Sequence, residues 1–234
     1  MLFLDSLAFS CEAPAMTLDI KICGLKTPEA VGAALAGGAS HIGFIFFARS
    51  PRHVEPEDAA RLREAARGKA LAVAVTVDAE DAVLERIVSI MQPDMLQLHG
   101  KEPPERVAAI KARYRLPIIK AFPIREAADL RAAEPYRGIA DRYLFDAKPP
   151  EGSQLPGGNG VSFDWPLLAA VPAGTDYFLS GGLNAENVGQ ALRVARPPAI
   201  DISSGVETAP GVKSPARIEE FFSAVQAAGQ HRQA

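Results

Sequence analysis

From residue 18 towards the C-terminus, short β-rich apolar runs alternate with longer segments whose apolar residues recur at three- and four-residue spacing. The first pattern predicts strands and the second amphipathic helices. The candidate strands are 18–22, 41–46, 70–77, 95–98, 117–121, 143–145, 176–179 and 199–202. Several are continuous apolar runs, such as LAVAV and HIGFIFF, which suit parallel strands covered on both faces. Helix starts are marked by Thr27-Pro28-Glu29, Glu55-Pro56-Glu57-Asp58, Asn184 to Asn187 and Ser214-Pro215, where caps, first-turn prolines and acidic residues favour an N-terminus. Eight βα units of roughly 25 residues predict one α/β domain, a (β/α)8 TIM barrel of parallel strands over 17–234, whereas an open doubly wound sheet usually needs fewer strands.

No linker divides the chain. The longest irregular stretch, 148–162, clusters Gly157, Gly158 and Gly160 after the sixth strand, where a lid would sit; a plain insertion is the other reading. Residues 1–16 read as an extension outside the fold, or as sequence ahead of a start at Met16. They lack the basic region of a secretion signal and carry Asp5 and Glu12. A net charge of -3 provides no uniformly basic surface for nucleic acid, so an anionic ligand needs a local site. Two cysteines, Cys11 and Cys23, fit neither a disulfide framework nor a cysteine-rich metal site, and the cytoplasm is the simplest compartment. No apolar run approaches the roughly 18 residues of a membrane span.

In a parallel barrel the polar residues after each strand converge on one rim. Here they are Cys23-Gly24, Arg52, His99, Asp146, Gly181-Gly182 and Ser203-Ser204-Gly205. The turns at Ser180-Gly181-Gly182 and Ser203-Ser204-Gly205 are candidates to cradle one phosphate through backbone N–H groups, although tight βα turns use glycine anyway. Cys23 is either a small apolar residue or, as a thiolate, a general base. Asp146 is either a helix cap or partner of Lys148, or a carboxyl that burial keeps protonated as an acid. A base and an acid on one rim are what a proton-shuffling isomerisation requires. Asp201, inside the last strand, reads as an orienting group, and Asp78 has no evident role.

Taken together, Lys21-Ile22-Cys23-Gly24, Ser50-Pro51-Arg52, Gln97-Leu98-His99-Gly100, Phe145-Asp146-Ala147, Ser180-Gly181-Gly182-Leu183 and Asp201-Ile202-Ser203-Ser204-Gly205-Val206-Glu207 resemble phosphoribosylanthranilate isomerase over 18–225. The resemblance implies an Amadori rearrangement of N-(5'-phosphoribosyl)anthranilate in tryptophan biosynthesis, with a small phosphosugar substrate and with no cofactor or metal. It implies Asp146 as general acid at the furanose ring oxygen, Cys23 as base at C2, and Arg52 facing the anthranilate carboxylate. His99 would shape the pocket. The likeness leaves monomer and homodimer open.

Two other readings share the phosphate cradle. An indole-glycerol-phosphate synthase-like lyase would lean on lysines, for which Lys120 is the obvious candidate. A non-catalytic phosphosugar-binding barrel would dispense with Cys23 and Asp146.

Overall fold

The computed structural model describes residues 18–148, 153, 157–158, 160 and 162–230. The expectations for 1–16, and for most of 148–162, therefore fall outside the described residues. Eight parallel strands close in sequence order: β1 (Asp19–Cys23), β2 (His41–Phe46), β3 (Leu71–Thr76), β4 (Met95–Leu98), β5 (Ile118–Ile124), β6 (Arg142–Ala147), β7 (Tyr177–Leu179) and β8 (Ala199–Ile202). The register at the seam sets Lys21 of β1 beside Asp201 of β8 and His41 of β2.

Outside the sheet lie α1 (Pro28–Gly37), α2 (Pro56–Arg63), α3 (Asp81–Met91), α4 (Pro104–Tyr114), α5 (Val188–Ala195) and α6 (Pro215–Gln230). The expected starts form as the sequence suggests. Thr27 Oγ1 accepts from the Ala30 N–H at 3.3 Å, and Ser214 Oγ from Arg217 N–H at 3.3 Å. Three features depart from the eight-helix expectation. Among the described residues, the helical segments after β5 and β6 are 3₁₀, Ala127–Tyr136 and Trp165–Ala170. Pro135 lies inside the first, where its missing N–H and its ring oppose a regular α-helix. After β8 the chain makes an antiparallel hairpin, β9 (Glu207–Ala209) and β10 (Val212–Lys213), which the apolar pattern does not predict.

Side chains alternate across each strand, so one parity faces the helices and the other the barrel axis. The helix-facing set builds the main core, with Ile22, Phe44, Leu96, Phe145 and Ile202 all buried. The axial set is a separate cluster that includes Cys23, Val73, Val75, Leu144, Phe178 and Ala199. Because Cys23 belongs to the axial parity, so does Lys21, two residues earlier. Among the described residues no helix is long and apolar enough to cross a membrane.

Candidate active site

A cleft opens at the C-terminal ends of the strands. Cys23, Arg52, His99, Asp146, Gly181, Gly182, Ser203 and Ser204 all line it. Ile45, Phe47, Val75, Val77 and Leu183 supply an apolar wall. Gly205 is the one expected site residue that does not line the cleft. A β-carbon there would fall 1.9 Å from the Leu183 carbonyl oxygen, so its glycine is demanded by the close approach of the loops after β7 and β8.

Asp146 lies inside β6 rather than just beyond it, because the strand runs on to Ala147. Its side chain is buried. Oδ1 accepts from the Ala147 N–H at 2.9 Å, while Oδ2 stands 3.5 Å from His99 Nε2. Gln97 Nε2 in turn lies 2.9 Å from His99 Nδ1. The ring is thus held from both sides, with the edge that faces Asp146 fixed. Lys148, the alternative partner for Asp146, pairs instead with Asp129 at 3.8 Å. Gly157 passes directly over this pair, since a β-carbon on it would come within 2.5 Å of Asp146 Oδ2 and 2.8 Å of His99 Nε2.

Arg52 is not a solvated loop residue: it is only 4% exposed. Nε and Nη2 donate to Glu207 Oε1 and Oε2, both at 2.8 Å, and Nη2 also donates to the Gly158 carbonyl at 3.2 Å. A two-point pair of this kind fixes the plane of the guanidinium. Burial works against the Glu207 carboxylate, but hydrogen bonds from Arg52 and Lys213 prevail and hold its pKa below the ordinary value. Lys213 Nζ lies 2.5 Å from Glu207 Oε1 and donates to the Ser203 carbonyl at 3.2 Å.

Cys23 ends β1 at the cleft floor with 5% of its surface exposed. Burial pushes its thiol pKa up and Asp201 adds to the rise, while Lys21 and Lys213 oppose it. Asp201 bridges Lys21 Nζ at 2.8 Å and Ser180 Oγ at 3.1 Å, which is the orienting role its place in the last strand suggests. The turn after β7 places Gly181 and Gly182 at φ of 91° and 63°. A side chain at Gly181 would also collide with Ala147 N at 2.6 Å.

Two residues left open by the sequence prove structural. Asp78 Oδ1 accepts from the Lys101 N–H at 2.6 Å and ties two loops together, away from the cleft. Lys120, the lysine a lyase would need, is buried and does not line the cleft. Its Nζ donates to the carbonyls of Gly100 at 2.9 Å and Ala121 at 3.1 Å, and pairs with Glu102 at 3.2 Å. The polar groups to which sequence reasoning gave no role are Lys21, Gln97 and Glu207, quoted only within motifs, and Lys213. Strand parity signals the first two, because each lies two residues before a candidate on the same face. Nothing local signals the hairpin pair.

Fold and cleft together define the class: a (β/α)8-barrel enzyme with its chemistry at the carboxyl ends of the strands. The family model described as N-(5'phosphoribosyl)anthranilate (PRA) isomerase matches residues 20–224. The chain belongs to that family and is an isomerase of tryptophan biosynthesis. It is 72% identical over 219 residues to the N-(5'-phosphoribosyl)anthranilate isomerase of Mesorhizobium japonicum, covering 94% of this chain and 100% of the relative. The crystal structure of phosphoribosyl anthranilate isomerase from Thermotoga maritima superposes with a TM-score of 0.81 at 35% identity, covering 90% of this chain and 100% of that one. A crystal structure of a phosphoribosyl anthranilate isomerase in complex with reduced 1-(o-carboxyphenylamino)-1-deoxyribulose 5-phosphate gives a TM-score of 0.78 at 33% identity, covering 90% of this chain and 100% of that one.

Proposed function

We propose that Cys23 and Asp146 are the base and the acid that convert N-(5'-phosphoribosyl)anthranilate into 1-(2-carboxyphenylamino)-1-deoxyribulose 5-phosphate. The observation that carries this assignment is that the two side chains, three places apart round the barrel, line one cleft. Asp146 gives its proton to the furanose ring oxygen as the bond from that oxygen to C1 breaks and the anilinic nitrogen forms a Schiff base. The Cys23 thiolate then removes the C2 proton, and the resulting enolamine becomes the ketone as C1 takes up the proton that Cys23 gives back and the enol O–H proton restores Asp146. Every proton taken up is returned, so the reaction needs no redox partner.

The turns at Gly181-Gly182 and Ser203-Ser204 hold the phosphate through backbone N–H groups, with Gly205 behind them as a packing requirement. Arg52 faces the anthranilate carboxylate with the edge that Glu207 leaves free. The apolar wall covers the aromatic ring. The enzyme acts on a small-molecule substrate in the cytoplasm, as a monomer or a homodimer whose choice sedimentation reads directly.

Cys23→Ala and Asp146→Ala should each lower kcat by about 10²–10⁴, while leaving binding of a phosphorylated product analogue within a few-fold of wild type. Near-normal turnover in either variant removes that residue from the mechanism.

A further inference from the structure

Cys23 must lose its proton to act as a base, and its position at the cleft floor disfavours the anion. The charged groups that face it come from three elements: Lys21 on its own strand, Asp201 on β8 and Lys213 on β10. The neighbouring strand β2 presents only Gly43 at this level. A β-carbon on Gly43 would lie 3.0 Å from Cys23 Sγ and 3.2 Å from Lys21 Cε, so sulfur and lysine stem share the space that this glycine leaves empty.

Lys21 has no exposed surface and does not reach the cleft, so it cannot touch the substrate. A buried ammonium with one carboxylate partner is a costly way to fill a barrel, and an apolar side chain of similar length would fill it more cheaply. We infer that Lys21 is a positioning residue for the reaction: its ammonium, held by Asp201 against the axial face of β1, keeps the Cys23 sulfur available as an anion.

Charge balance supports this. Lys21, Arg52 and Lys213 are three basic side chains paired with only two carboxylates, Asp201 and Glu207, so the cleft floor has room for one further anion, which a thiolate supplies. Burial opposes the charge on Lys21, yet Asp201 and Cys23 together outweigh it and raise the lysine above its ordinary value. His41, beside Lys21 in register, contributes no positive charge at neutral pH because burial pulls its pKa down to about 4.

The inference rests on the reading of Cys23 as base, but its test does not require turnover. The chain has two cysteines, so a Cys11→Ser background leaves Cys23 as its single thiol. The pH dependence of alkylation by iodoacetamide then reports the thiolate directly. Lys21→Met should shift the alkylation midpoint upward by about one unit or more, Lys21→Arg should stay within about half a unit of wild type, and Asp201→Asn should shift it downward. The acidic limb of kcat/KM should move in the same directions. An unchanged midpoint in folded Lys21→Met, judged by far-UV circular dichroism, overturns the inference. Should Lys21→Met fail to fold, Lys21→Gln is titrated in its place: an upward shift of the midpoint upholds the inference, and an unchanged or lower midpoint overturns it. If Cys23→Ala instead retained activity, the base assignment would fall while the thiol titration still stood or fell by itself.

Discussion

Replacing Arg52 by Gln separates substrate binding from catalysis. The guanidinium makes two 2.8 Å bonds to Glu207 and one of 3.2 Å to the Gly158 carbonyl, and its Nη1 donors are those assigned to the anthranilate carboxylate. Losing one charge-assisted hydrogen bond to that carboxylate costs about 1.5–3 kcal/mol, which at 1.36 kcal/mol per tenfold is a KM raised about ten- to hundred-and-fifty-fold. The carboxylate is remote from the ring oxygen and C2, so the bond is equally strong in ground and transition states and kcat should stay within about threefold. Folding should survive, because Glu207 keeps Lys213 at 2.5 Å and is not left as an unpaired buried charge. A destabilisation below the roughly 3–5 kcal/mol of a fully orphaned buried ion is expected. Steady-state kinetics with N-(5'-phosphoribosyl)anthranilate, alongside urea unfolding, give both numbers. A fallen kcat at unchanged KM would refute the reasoning and place Arg52 at the reacting atoms.

Lys120→Met tests whether the barrel retains any need for a strand-end lysine: kcat should stay within about threefold, while stability falls by about 3–5 kcal/mol in urea because Glu102 loses its buried partner. A loss of turnover without loss of stability would contradict the packing role. At the N-terminal mouth of the barrel, His41 is buried, bonded to Ser40 Oγ at 2.8 Å and set edge-to-face against Phe178. Its pKa is lowered from 6.5 to about 4, burial being the main cause. The unfolded chain therefore binds this proton more readily, so the contribution is complete above pH 6.5 and is lost as pH falls towards about 4. Across that window it amounts to about 3 kcal/mol, and His41→Gln should flatten that part of the stability profile; an equally steep fall in the variant would assign it to other groups.

The sequence alone determined the number, order and parallel sense of the eight strands, because buried parallel strands write themselves as continuous apolar runs and helices as a three-to-four period. It also brought Cys23, Arg52, Asp146 and the two small-residue turns to one rim, since strand ends in a closed barrel share one face. What it left unread is what the closure pairs. Lys21 and Asp201 are 180 residues apart, and Arg52 and Glu207 are 155 apart. Local periodicity states which face of a strand a residue takes, but it cannot state which distant residue the seam will set beside it. The same holds for Gly205, whose need for glycine is a collision with Leu183 on the neighbouring loop, and for Lys120, whose partners Gly100 and Glu102 come from the loop after β4. The 3₁₀ connections escaped for a different reason: their apolar spacing is helical, and only Pro135 hints that the hydrogen-bond ladder cannot follow. Strand parity is a property of the backbone and survives in one dimension; charge compensation in a buried cleft belongs to contacts that exist only once the barrel has closed.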